Sequence, residues 1–368
     1  MMRILVATDA WFPQVDGVVR TLHALAGGLE GLGVEVEFLT PADMPAVALP
    51  RCPNLRIALP SPRRIAARIA AIQPDAIHIA TAGPIGLATR WYCGSHGLPF
   101  TTSLHSRFAD YVAARWAIPA HLSWSWLRWF HNAGRATMTS PASLAEELST
   151  RGFRCVLRWP RGVDARLFRP RQNASLGLLR PVFLTAGPLA VESNIAAFLA
   201  LDLPGTKVVV GEGPARDQLA RLCPKAIFLG AMHGEEIARI YAAADVFVFP
   251  GRTDAFGLAL LEALACGTPI AGFPGSAIRD VAGTAPVAVL DEDLRAACLR
   301  ALALSRTACR AYAETMSWEE SARCFLANME RAGIVIPAPA PLCALQSAPN
   351  LAPEPAPAER KTAAPVIG

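Results

Sequence analysis

The chain has 368 residues, 52% of them hydrophobic and 18% charged, with a formal net charge of +5. This length suits two domains, and the composition can bury a sizeable core, which excludes a wholly disordered protein. The basic residues are dispersed and no nucleic-acid-binding motif occurs, so a nucleic-acid role is excluded; attraction to an anionic membrane surface or a phosphorylated substrate is permitted.

Nine scattered cysteines, an odd number with no Cys-x-x-Cys pair, argue against a zinc site or a disulfide framework and for a reducing cytoplasm. The histidines show no ligand spacing, so no metal is expected. No apolar run approaches the ~18 residues of a membrane-spanning helix. The N-terminal apolar stretch is about six residues and reads as a strand, not a signal peptide. A cytoplasmic protein, or one peripheral on the inner membrane face, is expected.

In chain order, "RILVATD" reads as a strand and "GVVRTLHALAGGLEGLG" as a helix, with Val19, Leu22, Leu25, Ala26, Leu29 and Leu32 at helical spacing and Gly33 as its stop. "VEVEFLT", "DAIHIA", "LPFTTSLH" and "ATMTSP" are further strands. In the second half "PVFLTAG", "TKVVVGEG", "AIFLG", "DVFVFPG", "TPIAGF" and "APVAVL" are strands separated by helical stretches. This alternation specifies an α/β protein with parallel sheets and crossover helices, two βα domains in series. The expected division is 1–168, 176–310, a helical segment 311–336 and a tail 337–368. The tail holds eight prolines in 32 positions, a composition that cannot build a packed core.

The most informative segment is "FPGRTDAFGLALLEALACGTPIAGFPG", residues 249 to 275. A buried strand ends at Pro250, a polar loop follows, and a helix starts near Phe256 or Gly257. Unpaired N–H groups at that helix start, outside the carboxyl end of a parallel sheet, suit a phosphate. Asp254 sits at the end of the strand and Glu262 about two turns along the helix. Taken alone, Asp254 reads equally as a helix cap and Glu262 as a solvated helix residue. The dinucleotide pattern G-x-G-x-x-G is absent from "VVVGEGP", so NAD binding is not supported.

This segment resembles the acidic-x7-Glu signature of retaining family 4 glycosyltransferases, with Asp254 and Glu262 as the acidic positions. "TDAWFPQVDGVVRTL", "TTSLHSRFADY", "RGVDARLFRP" and "VVVGEGP" resemble further family motifs in the family's order, over most of residues 1 to 330. Within the family the chain is similar to bacterial GDP-mannose-dependent α-mannosyltransferases and related glycolipid glycosyltransferases. The resemblance implies two Rossmann-like domains facing each other across a cleft (the GT-B fold), the N-terminal one on the acceptor side and the C-terminal one holding a nucleotide-sugar.

By the same resemblance Glu262 bonds the ribose hydroxyls, Asp254 holds hexose hydroxyls, and the amides of Phe256, Gly257 and Leu258 meet the diphosphate. Gly17 approaches the diphosphate or sugar, Gly187 lies on the donor-side turn, Asp16 meets the acceptor, and His105 faces the transferred sugar as a catalytic residue. Relatives carry cations just after Gly187 and just after Glu192, where this chain has Pro188 and Ser193; Ala82 and Ala255 also replace polar residues. Arg20 or Arg252 could supply the missing charge, Arg252 being preferred because it lies two residues before Asp254. The departures leave two readings: a working hexosyltransferase, or a catalytically weak relative that binds nucleotide or a partner. The expected donor is GDP-mannose, with no metal cofactor and a lipid or glycan acceptor. Residues 115 to 131 hold four tryptophans with Arg115 and Arg128, a mixture that suits a membrane interface or a helix packed on its own domain.

Overall fold

The computed structural model describes residues 2–12, 17–49, 52–105, 119–172, 174–252 and 257–335. The first domain starts with β1 (Met2–Ala7), α1 (Gly17–Glu30) and β2 (Val34–Leu39), then an antiparallel hairpin of β3 (Ala46–Leu49) and β4 (Cys52–Ala58). It continues through α2 (Pro62–Ile72), β5 (Ala76–Ile79), α3 (Pro84–His96), β6 (Phe100–Ser103), α4 (Ala120–His131), β7 (Thr137–Thr139), α5 (Ala142–Thr150) and β8 (Val156–Arg158). The second comprises β9 (Val182–Ala186), α6 (Ile195–Leu199), β10 (Thr206–Val210), α7 (Arg216–Leu222), β11 (Ile227–Phe228), α8 (Gly234–Ala243), β12 (Val246–Phe249), α9 (Leu258–Ala265), β13 (Ile270–Gly272), α10 (Ser276–Ala282), β14 (Ala288–Leu290) and α11 (Leu294–Ala301). Two more helices close the described chain, α12 (Arg306–Glu314) and α13 (Trp318–Arg331).

Each domain is built on a six-stranded parallel sheet, ordered β2-β1-β5-β6-β7-β8 and β11-β10-β9-β12-β13-β14. Strands such as β5 and β12 are buried along their whole length, because helices cover both faces of each sheet; this is why they read as continuous apolar runs. Helix starts and stops follow local chemistry. Pro62 and Pro84 open α2 and α3, Gly97 closes α3 in a left-handed turn, and Asp293, Ser305 and Ser317 cap α11, α12 and α13 through their side chains.

In both sheets the strand order reverses beside the first strand, between β1 and β5 and between β9 and β12. In open parallel sheets a ligand binds in the crevice beyond the strand ends at such a point. The first crevice is stitched shut by Asp9. Its carboxylate accepts bonds from the Thr81 hydroxyl (2.8 Å) and from the amides of Ile85 (2.8 Å) and Gly86 (3.3 Å) at the start of α3, while its own amide donates to Thr81 (2.7 Å). A Cβ on Gly83 would lie 2.4 Å from that carboxylate, so the packing demands glycine there.

Three features differ from the expected element list. The β3–β4 hairpin and edge strand β8 were not among the strand candidates: β4 begins "CPN", which carries loop chemistry, and β8 has only three residues. The last helix, α13, returns to the first domain. It lies on α1 so closely that a Cβ on Gly28 would come within 2.7 Å of the Trp318 carbonyl, and it contributes Ala322, Phe325 and Met329 to the core around Trp159. Arg310 of α12 fastens the hinge, donating to the carbonyls of Ala165 (3.0 Å), Phe168 (2.7 Å) and Ala265 (2.9 Å).

Candidate active site

The helix that follows β12 carries the centre of the site. Gly257 is the N-cap of α9, and a Cβ there would strike Val281 of α10 at 2.3 Å. Glycine therefore lets the start of α9 close on the end of α10; as at any helix start, the first amides of α9, including that of Leu258, have no intrahelical acceptors. Those amides and the helix dipole favour an anion. One turn further on, Glu262 is only 4% exposed; it is not the solvated helix residue that pattern alone allowed. Burial raises its carboxyl pKa, opposed by the charge of Arg20 and by hydrogen bonds from Arg20 and Tyr241. Tyr241, buried on α8, is itself pushed well above the ordinary phenol range by burial and by Glu262.

Arg20 belongs to the other domain. It stands in the first turn of α1, which begins at Gly17, and its guanidinium pairs with Glu262 across the interdomain gap. Beside this pair lies a cavity of ≈ 280 Å³, mostly apolar, between α1 (Val19, His23), the hinge (Val163, Leu167), α9 (Leu258) and Trp318. A second polar clasp crosses the gap elsewhere: the Ser143 amide (3.0 Å) and hydroxyl (2.6 Å) of α5 donate to Asp280 of α10. Gly257, Arg158 and Arg161 border a smaller cavity of ≈ 70 Å³ on that side.

His105 lies two residues beyond β6 and is buried. Its Nδ1 lies 2.6 Å from Nη2 of Arg161 and its Nε2 lies 2.8 Å from the Ser103 hydroxyl. A guanidinium only donates, so Nδ1 must accept and the ring proton sits on Nε2. Burial, reinforced by Arg161, holds the imidazole pKa well below its ordinary value, so the ring is neutral. His78 shares Ser103 (3.1 Å) and also meets Thr101 (2.8 Å); burial depresses its pKa to about 3. Burial likewise lowers the Arg161 pKa to about 9. The Ala80 carbonyl also bonds the His105 ring, so to hydrogen-bond a sugar His105 must exchange one of its partners.

The turns after β9 and β10 pack against one another at the second crevice. Gly211 adopts φ +139° and a Cβ there would sit 1.9 Å from the Gly187 carbonyl, so these glycines bring the two turns into direct backbone contact. Ser193 donates to the Pro188 carbonyl (2.7 Å), and Asn194 reaches across to the Pro250 carbonyl (3.0 Å). Neither 188 nor 193 presents a cation. Arg252 is engaged at the ends of β13 and β14, stacked 3.9 Å over Phe273 and paired with Glu292 at 2.9 Å.

Leu258 and Glu262 line the larger cavity and Gly257 the smaller one, while Gly17 stands at the start of α1, three residues before Arg20, and lines neither. Asp16, Asp254, Ala255 and Phe256 lie outside the described residues. Two participants escaped the sequence reading. Tyr241 has no motif to mark it, and Asp9 closes the strand segment "RILVATD" with no role assigned, though a carboxylate at a strand end is its available signal. Among the described residues no cluster of three His, Cys, Asp or Glu side chains could hold a metal, and no helix is long and apolar enough to cross a membrane.

Comparison with known proteins identifies the family. Residues 15–167 match the model described as Glycosyltransferase Family 4, and residues 190–304 match that of Glycosyl transferases group 1. The two matches span both domains and together cover more than two thirds of the chain. The chain belongs to glycosyltransferase family 4.

As a family 4 glycosyltransferase it transfers a sugar from a nucleotide-sugar donor. It is 27% identical to a GDP-mannose-dependent α-mannosyltransferase of Mycobacterium tuberculosis, over 76% of this chain and 81% of that one. It is 36% identical over 46% of each chain to a D-inositol 3-phosphate glycosyltransferase of Mycolicibacterium paratuberculosis. The fold matches sucrose-phosphate synthase from Thermosynechococcus elongatus (TM-score 0.71, 19% identity, 90% of this chain and 98% of that one). It also matches Anabaena HepE in complex with UDP and glucose (TM-score 0.66, 17% identity, 90% and 100%). These structural likenesses establish the GT-B architecture of the family 4 enzyme.

Proposed function

We propose that this enzyme moves mannose from GDP-mannose to a lipid acceptor with retention of anomeric configuration. The observation that carries the reading is Glu262, a buried carboxylate one turn below the open start of α9, beside an interdomain cavity. A carboxylate there accepts bonds from both ribose hydroxyls, while the amides of Phe256, Gly257 and Leu258 hold the diphosphate. Asp254 takes hexose hydroxyls, Gly17 and Gly187 line the donor, and Asp16 faces the acceptor. The acceptor oxygen bonds to the anomeric carbon as the carbon–oxygen bond to the diphosphate breaks; the electron pair leaves with the diphosphate, which takes the acceptor proton. Closure of the two domains keeps water from that carbon. Mannose and GDP are supported by the names of the mannosyltransferases at 27% identity.

A lipid acceptor is supported by the surface of α3 and α4. Trp91, Trp126, Trp129 and Leu122 are exposed there. Arg90 stacks 3.8 Å over Trp129, and Arg90, Arg128 and Arg154 line a surface pocket whose described lining includes no acidic residue. Exposed tryptophan with arginine suits the headgroup layer of an anionic bilayer. The test is incubation with radiolabelled GDP-mannose, UDP-glucose or UDP-glucuronate and membrane lipid. Label passing from GDP-mannose into the lipid fraction in α linkage supports the reading. Transfer from another donor alone, or only to a water-soluble glycan, overturns it.

A further inference from the structure

The donor's diphosphate needs a cation when it departs with negative charge, since a well-placed charge at a leaving group commonly supplies several kcal/mol of the catalytic effect. Of the described cations near the start of α9, two are engaged elsewhere, and Arg158 lies on the side of the smaller cavity, away from Glu262. Arg252 is held by Glu292 and Phe273, and Arg161 is buried against His105. Positions 188 and 193 are occupied by proline and serine. Arg20 differs. It is about as open to solvent as Arg252 (46% against 51% exposed), but it projects from the first turn of α1 and lines one cavity with Leu258 and Glu262 of α9, which Arg252 does not. Yet its partner is the carboxylate that the donor's ribose would use.

We propose that Arg20 works in two positions, resting on the donor placement above. Without donor it occupies the ribose place on Glu262 and ties the domains together. When donor binds, the ribose hydroxyls take Glu262 and the guanidinium swings along α9 to the diphosphate, where it becomes the leaving-group cation. The distance is within reach of a long side chain: Glu262 and Leu258 are four residues apart, about 6 Å along a helix axis. Each new partner is matched, ribose hydroxyls to a carboxylate and a planar guanidinium to phosphate oxygens. Arg20 is thus both a competitor for the nucleoside part of the donor and a ligand for its phosphates.

These two effects have opposite signs, which makes them separable. Calorimetric titration compares guanosine with GDP (uridine and UDP run beside them) on the wild type, Arg20→Ala, Arg20→Lys and Glu262→Ala. In Arg20→Ala the nucleoside is expected to bind about 2- to 5-fold more tightly, because a half-exposed ion pair no longer competes. The diphosphate is expected to bind about tenfold or more weakly, and turnover at saturating donor to fall further. Arg20→Lys should recover part of the diphosphate binding. If guanosine and GDP shift together, or neither shifts, Arg20 is only a domain fastener and the proposal fails. Asp280→Ala, which cuts the other interdomain clasp, and Arg158→Ala, which alters the smaller gap beside Gly257, serve as comparisons; the proposal also fails if either reproduces the Arg20→Ala pattern. Glu262→Ala distinguishes the layers. Nucleotide binding that survives it overturns the donor placement itself, whereas lost binding there with a uniform Arg20→Ala effect overturns only the role of Arg20.

Discussion

Glu262→Ala removes a carboxylate that is 4% exposed and is offered hydrogen bonds by Arg20 and Tyr241 in the free protein. With donor bound, two ribose hydroxyls would donate to it, each worth about 1.5–3 kcal/mol as a bond to a charged group. Losing both weakens nucleotide binding by about 3–6 kcal/mol, a rise in Kd of roughly 100- to 20,000-fold. Stability should move far less. Burial raises the pKa of this carboxyl despite Arg20, so the ionised group is poorly compensated, and Arg20, being half exposed, can turn to water. The buried Tyr241 hydroxyl loses its acceptor, however, so a net loss of about 1–2 kcal/mol, or roughly 2–6 °C in Tm, is expected. The native carboxyl binds its proton more tightly than the unfolded chain does. Stability therefore falls as pH rises from the ordinary carboxylate range through the raised native value, then levels off. Glu262→Gln keeps the volume and should erase that part of the slope. Calorimetric titration with GDP and melting curves across pH give both readouts. A Kd within threefold of wild type, or a binding loss fully explained by unfolding, refutes the reasoning.

Asp9→Ala leaves the Ile85 and Gly86 amides and the Thr81 hydroxyl without their acceptor; a loss of about 1–3 kcal/mol in a urea unfolding titration is expected. His105→Ala should leave the nucleotide Kd within about threefold while lowering transfer by about 100-fold or more; radiolabelled transfer at saturating donor reads this, and unchanged turnover would leave His105 as a purely structural histidine. Trp126→Ser combined with Trp129→Ser removes the exposed rings of α4. Sedimentation with phosphatidylglycerol vesicles should drop about tenfold or more while activity on a short-chain soluble acceptor persists, and undiminished vesicle binding would locate the membrane contact elsewhere.

The alternation of short apolar runs with amphipathic stretches was enough to read two parallel-sheet domains, because strands covered on both faces leave an unbroken apolar signature. The segment from 249 to 275 likewise exposed the start of α9 and the position of Glu262, since a strand, a polar loop, a glycine and a helix leave local marks. What stayed hidden is long-range. Arg20 and Glu262 are 242 residues apart, and His105 and Arg161 are 56 apart; no periodicity reports such pairings. Arg252 was favoured as the compensating cation because of its closeness in sequence to Asp254, but nearness along the chain does not set side-chain direction, and Phe273 and Glu292 draw it to the ends of β13 and β14. The return of α13 to the first domain was also invisible locally, because its apolar face would suit either core.

The most direct measurement is a crystal structure of the protein with GDP-mannose or a non-hydrolysable analogue. The account predicts the diphosphate against the amides of Gly257 and Leu258, both ribose hydroxyls on Glu262, and the guanidinium of Arg20 turned to a phosphate oxygen. Phosphates bound away from the start of α9, with the Arg20–Glu262 pair intact beneath them, would contradict it.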